Sequence, residues 1–282
     1  MKRISALLLI LCLLALPALA EPEPAKLALD EPLAIDLDGD GTEETVSWTL
    51  EMGEYEECVH LRILSANGEE VVWSTPILWG EAVYVVDLDG DGRQEILASG
   101  DVMSDDYITY CLRWDGAGLY ELLFPDCSRT QNTDGYYKEG YGQITAIDGN
   151  RVTLSGSQDM LGTWFAERTV TLSAHDRFEF ADDGLWVRNL SGRDDDSLWG
   201  YAALTAAVPL EYADAEGNPA GTLQPGDKLL VCATDKETFV RFLTPDGTEG
   251  TLAISRNYEQ GWGWLVDGTP EEDCFEHIPY AD

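Results

Sequence analysis

Basic residues are scarce in this 282-residue chain: 17 Lys and Arg stand against 53 Asp and Glu, giving a formal net charge of −36. So acidic a surface repels the phosphates of nucleic acids and anionic lipid headgroups, and neither is expected as a partner. Histidine is sparser still. His60 falls in an alternating apolar pattern, His175 in an expected turn and His277 near the end of the sequence, and all three read as structural or exposed rather than catalytic. Beyond the first 20 residues, no apolar run approaches the roughly 20 residues that a membrane-spanning helix needs. Cysteine is too rare and too uneven for a disulfide framework. Cys12 lies in the opening segment, and Cys58, Cys111, Cys127, Cys232 and Cys274 remain, an odd number that cannot all pair. Most read as small buried apolar groups.

The opening segment, MKRISALLLILCLLALPALA, has a basic start, an apolar centre and Ala18-Leu19-Ala20 at its end. This is the pattern of a secretory signal cleaved before Glu21, so residues 1–20 are expected to be removed and the product secreted, free or held at the cell surface non-covalently. Losing Lys2 and Arg3 takes the net charge from −36 to −38, because residues 1–20 carry no acid. Residues 21–30 read as a linker.

What the chain has in abundance is organised acid. DLDGDGTEE at Asp36 to Glu44 returns as DLDGDGRQE at Asp87 to Glu95, 51 residues later. Carboxylates stand at positions 1, 3 and 5 (Asp36, Asp38, Asp40; Asp87, Asp89, Asp91) and at position 9 (Glu44, Glu95). Position 7 (Thr42, Arg93) can lend its main-chain oxygen. Such a ladder supplies the six to eight hard oxygens that calcium takes at about 2.3–2.6 Å, and without a cation its carboxylates would repel one another. Glycines at positions 4 and 6 let the chain turn tightly. An EF-hand is excluded, because position 12 is Ser47 or Ala98 rather than Glu, and because the flanks, Pro-Leu-Ala-Ile and Val-Tyr-Val-Val, favour strands over helices. The motif resembles the integrin-type calcium loop of FG-GAP and VCBS repeats, D-x-D-G-D-G-x-x-D/E. The resemblance implies two Ca2+ sites, each in a β-propeller blade.

The periodicity runs past the loops. Leu61-Arg62 and Glu70 recur at the same spacing as Leu112-Arg113 and Glu121. In each copy a hairpin follows the loop, CVHLRIL turning through Ser65-Ala66-Asn67-Gly68 and TYCLRW turning through Asp115-Gly116-Ala117-Gly118. A fainter third copy, without the acidic ladder, spans Ile144 to Leu154 and continues through Ser173-Ala174-His175-Asp176 into RFEF. Units of this length built from short strands predict an all-β, propeller-like repeat domain over 31–197, with only three units visible. The acidic run Arg193 to Asp196 marks an expected boundary. Beyond it, Val208 to Ile254 resembles a bacterial SH3-like domain. The residues that carry the likeness are Ala220-Gly221-Thr222-Leu223, then Pro225-Gly226-Asp227 before a strand, then Phe239-Val240-Arg241-Phe242, then Asp246-Gly247 before a closing strand. The SH3-like barrel is expected over 198–282. In that family the closing strand commonly reads Gly-Trp, whereas Thr251 follows Gly250 here. The family implies binding to the cell wall. Trp262 and Trp264 are expected to cover the barrel.

Catalysis is the weaker expectation. Asp126-Cys127-Ser128 resembles the start of the nucleophile motif of NlpC/P60 cell-wall peptidases, but loop-forming residues follow where the family has a helix. A glycosidase needs two carboxylates in a cleft, and Asp105 with Asp106 beside Tyr107 and Tyr110 is the nearest candidate. Tyr136, Tyr137, Tyr141, Trp164 and Phe165 could stack on a sugar or fill a core. The expectation is therefore a secreted, calcium-stabilised binding or adhesion protein of the bacterial cell envelope, recognising cell-wall glycan or peptide, polysaccharide or an extracellular protein without catalysis. A cell-wall hydrolase is the alternative.

Overall fold

The computed structural model describes residues 24–52, 57–75, 79–101, 107–125, 142–191, 195–258 and 263–280. The fold is all-β, built of antiparallel sheets, with two short helical segments at Asp195–Tyr201 and Glu271–Cys274. Three four-stranded meanders come first. Unit 1 is β2 (Leu33–Ile35), β3 (Glu44–Met52), β4 (Glu57–Leu64) and β5 (Glu70–Thr75). Unit 2 is β6 (Trp79–Val86), β7 (Glu95–Asp101), β8 (Tyr107–Trp114) and β9 (Leu119–Leu122), and unit 3 is β10 (Gln143–Asp148), β11 (Arg151–Gln158), β12 (Trp164–Ser173) and β13 (Arg177–Phe180).

Burial explains the strand patterns. In β3 the buried Val46 and Trp48 alternate with half-buried residues, as a strand with one face on a core requires. In β7, six consecutive residues from Glu95 to Gly100 are buried, because unit 2 is packed on both faces. One core joins units 1 and 2 through Val46, Leu61 and Ile63 with Val83, Ile96 and Leu112. A second joins units 2 and 3 through Leu97, Leu122 and Phe124 with Val152, Leu154 and Phe178. The expected linker is partly structured: Ala25–Leu27 forms β1, pairing with the outer edge of β6 from Ala25↔Val85 to Leu27↔Val83. Leu27 is buried and its carbonyl accepts from Trp48 Nε1 at 3.2 Å, which gives the segment a reason to stay.

The remaining strands are β14 (Trp186–Val187), β15 (Leu204–Thr205), β16 (Leu210–Ala213), β17 (Pro219–Leu223), β18 (Lys228–Thr234), β19 (Phe239–Leu243), β20 (Glu249–Arg256), β21 (Trp264–Val266) and β22 (Thr269–Pro270). They run β18-β19-β20-β16-β17, and β14 links β18 to β12 through Trp186↔Thr234 and Glu167↔Val187. Sheet and core are thus continuous across position 198, since Met160, Leu161, Trp164 and Trp186 share a cluster with Leu229, Val240, Phe242, Leu252 and Trp264. Among the described residues no sheet closes on itself. Cys111, Cys232 and Cys274 carry free thiols, of which Cys111 and Cys274 are buried. No helix among the described residues is long and apolar enough to cross a membrane.

Candidate metal centre

Both acidic loops join the first strand of a unit to the second, β2 to β3 and β6 to β7. Their main chains are near copies. The glycines hold φ of 75° and 89° in the first (Gly39, Gly41) and 73° and 88° in the second (Gly90, Gly92), a region open to glycine and costly for other residues. In the first loop the position-1 carboxylate of Asp36 accepts from Gly39 N and Gly41 N, both at 2.8 Å. In the second, Asp87 accepts from Gly90 N at 2.7 Å and Gly92 N at 3.0 Å. Asp38 Oδ1 accepts from Asp40 N and Asp89 Oδ1 from Asp91 N, each at 3.2 Å. Glu44 Oε2 accepts from Leu37 N at 3.0 Å, and Glu95 Oε2 from Leu88 N at 2.8 Å, so the position-9 carboxylate closes each loop.

The loops lie side by side at one end of their units. Gln94 N donates to Leu37 O at 2.8 Å, and a Cβ at Gly39 would come within 3.1 Å of Gly92 O. Each loop also meets the last hairpin turn of the next unit. Asp38 Oδ2 lies 2.9 Å from where a Cβ at Gly116 would sit, in the β8–β9 turn. Asp176, in the β12–β13 turn, faces the second loop through Arg113 and Arg93.

The cations differ between the two. In the first loop, oxygens of Asp36, Asp38 and Asp40 lie within 4.8 Å of one another, and among the described residues no Lys or Arg pairs with them. Burial pushes the Glu44 carboxyl up, opposed by the Leu37 N–H and reinforced by Asp38, Asp40 and Asp36. This donor set fits a hard divalent cation: three converging carboxylates, a fourth at the loop's end, and no Lys or Arg among the described residues paired with them. In the second loop, Asp87, Asp89 and Glu95 converge in one group and Asp89, Asp91 and Asp176 in another, but both are penetrated by arginine. The Arg113 side chain has no solvent exposure. Its Nε donates to Glu95 Oε1 at 2.6 Å, with a second, closer contact from a terminal nitrogen. It also reaches Asp89 Oδ2 at 3.3 Å and pairs with Asp176. Arg93, whose main-chain N donates to Asp91 Oδ1 at 2.8 Å, folds its side chain back onto Asp91 Oδ2, also at 2.8 Å. Burial pushes the Glu95 carboxyl up to about 7, opposed by the Leu88 N–H and by Arg113. Burial also raises Asp91, but its bonds to Arg93 outweigh that and hold it below the usual carboxylate range.

All ten expected metal-site residues, Asp36 to Glu44 and Asp87 to Glu95 at alternate positions, therefore sit in two matching loops, but the second has three of its four carboxylates engaged by guanidinium groups. Arg113 and Asp176 were not among the expected site residues. A charged residue inside the apolar run TYCLRW was the available signal for Arg113; nothing local marks Asp176. The repeat of Leu-Arg misleads here. In β3–β4 the register places Arg62 opposite Ser47, and it pairs at the surface with Glu51 at 2.8 Å, whereas in β7–β8 Arg113 lies opposite Glu95.

Cys127, Asp105, Asp106, Tyr136, Tyr137, Tyr141, Trp262 and residues 1–20 lie outside the described residues. Trp164 and Trp264 are core residues, while Phe165 is exposed beside a shallow hollow lined by Ser155, Glu167, Asn189 and Ser191. His60 Nδ1 is 2.7 Å from Ser74 Oγ, and His175 and His277 are exposed. No family model matches this chain, and comparisons with curated proteins and with solved structures give no match.

Proposed function

We propose that this protein is exported and acts at the bacterial cell envelope by binding, with calcium stabilising its repeat units. The units resemble FG-GAP/VCBS repeats in a propeller-like arrangement, and the C-terminal strands resemble an SH3-like barrel, which points to cell-wall glycan or peptide, polysaccharide or an extracellular protein as partner. The observation that carries the reading is the first loop, where Asp36, Asp38 and Asp40 converge and no Lys or Arg among the described residues pairs with them. With Glu44 and the main-chain oxygen of Thr42 they would hold the ion, which would supply charge neutralisation and tie the loop's ends together. Extracellular calcium is commonly abundant enough to fill even weak loop sites, with Kd of about 10⁻⁴–10⁻³ M.

Retention of the purified protein on peptidoglycan and on secreted polysaccharides, in millimolar calcium and in EDTA, tests the binding role. Retention on either that weakens in EDTA supports it. Failure to be retained on any of these surfaces in calcium overturns the glycan partner, and equal thermal midpoints in the two buffers overturn the calcium role.

A further inference from the structure

The two acidic loops share sequence and main-chain geometry but not charge balance, and we infer that the second is neutralised from within. Arg113 takes the cation's place among Asp89, Glu95 and Asp176, so that calcium binds at the first loop and is kept out of the second while Arg113 is present. This rests on the reading of the first loop as a calcium site.

Three observations carry it. The Arg113 guanidinium is fully buried and engages the position-9 carboxylate, Glu95, through two nitrogens, and the position-3 carboxylate, Asp89, at 3.3 Å. A metal ion would need both. Arg93 holds the position-5 carboxylate, Asp91, so three of the loop's four carboxylates already have a positive partner. The same guanidinium pairs with Asp176 of unit 3, and that turn is the counterpart of the one that meets the first loop through the uncharged Gly116. A calcium ion entering the second loop would therefore have to displace a guanidinium whose side chain has no solvent exposure, and it would separate that charge from its buried partner Glu95. In the first loop no Lys or Arg among the described residues has to move, because the equivalent arginine in the sequence, Arg62, is three register positions away from reaching Glu44 and pairs with Glu51 and Glu70 instead. Arg113 thus fastens unit 2 to unit 3 as calcium fastens the first loop at the junction of units 1 and 2.

Calcium titration of the metal-stripped protein by calorimetry tests this. The wild type should bind one ion. Asp38→Asn should abolish binding, whereas Asp89→Asn and the more exposed Asp91→Asn should leave the affinity within about twofold. Arg113→Met should gain a second ion, and its unfolding midpoint should depend more steeply on calcium than that of the wild type. Because Arg113→Met strands Glu95 and can fail to fold, the Asp38, Asp89 and Asp91 variants decide the matter by themselves. Two ions bound within tenfold of each other in the wild type, one of them lost on Asp91→Asn, would overturn the inference while leaving calcium binding intact. Absence of any calcium heat in the wild type would overturn the first-loop reading and the inference with it.

Discussion

The first and second acidic loops agree at positions 1 through 6 and again at position 9, make the same main-chain hydrogen bonds, and hold their glycines within a few degrees of each other. They nevertheless present opposite electrostatic situations: one is a cluster of carboxylates with which no Lys or Arg among the described residues pairs, the other a cluster built around an arginine. The difference teaches that a short motif dictates its own conformation, because Asp-to-amide bonds and positive-φ glycines act within nine residues, but not its ligand. The ligand depends on what the neighbouring strand brings to position 9, and that is a matter of strand register. A shift of three positions between β3–β4 and β7–β8 places Arg113 against Glu95 and takes Arg62 to the surface.

Four measurements bear on this contrast. The largest effect is expected at position 9. Glu95→Ala strands a buried guanidinium and should cost about 3–5 kcal/mol in urea unfolding, equally in EDTA and in calcium. Glu44→Ala in EDTA removes only a hydrogen bond to Leu37 N and should cost about 1 kcal/mol. Similar losses at the two positions would erase the distinction.

Next comes the ion itself. At 100 times its Kd, calcium at one site should add about 2.7 kcal/mol to stability. Thermal unfolding in calcium and EDTA should show that Asp38→Ala eliminates this increment and that Thr42→Ala, which keeps the main-chain oxygen, does not. An increment that survives Asp38→Ala would place the ion elsewhere.

A third comparison uses glycines. Gly90→Ala meets open space and should cost only its left-handed backbone, about 1–2 kcal/mol. Gly116→Ala carries the same kind of strain at φ 85° and also drives a methyl to 2.9 Å from Asp38 Oδ2, so it should cost more and weaken calcium binding as well. Calcium affinity unchanged in Gly116→Ala would show that the turn does not constrain the first loop.

The smallest effect concerns a buried carboxylate held by neutral donors, the counterpart to Glu95. Glu271 is 2% exposed, and its Oε1 accepts from Trp264 N at 2.9 Å and Tyr280 Oη at 2.8 Å. Its Oε2 is buried with no hydrogen-bond partner among the described residues. Burial raises its pKa above the unfolded value, against those two bonds, so the folded state holds the proton more tightly. The stabilisation linked to this proton is complete below the unfolded pKa near 4.5 and is lost as pH rises through the folded value. Glu271→Gln should therefore flatten the fall in stability as pH rises above about 4.5. A variant whose pH profile parallels the wild type would show that Glu271 does not titrate differently on folding.

Much of the fold is legible in the sequence. The strands around the two loops, the turns at Ser65 to Gly68 and Asp115 to Gly118, the fainter third unit and the strand starts after Pro225-Gly226-Asp227 and Asp246-Gly247 all follow from local turn chemistry and alternation. β1 was not legible, because AKL is too short to show a period and becomes a strand only against the edge of β6. Nor was the continuity across position 198, since β14 is two residues long and its pairing with β18 depends on contacts more than 40 residues apart. Trp164 and Trp264 could be read from composition either as core or as a ligand platform, and only their common cluster with Phe242 and Leu252 decides.

The amino-acid sequence by itself determined the acidic character, the β class, the repeat of 51 and the conformation of both loops, because each depends on composition or on hydrogen bonds within a few residues. Tertiary structure alone decided that unit 2 is buried on both faces, that the core crosses the expected domain boundary, and that the two loops are unequal. These depend on which strand lies beside which and at what register, and the energy that selects a register comes from the whole buried face. A buried arginine against one position-9 glutamate, and none among the described residues against the other, is the consequence.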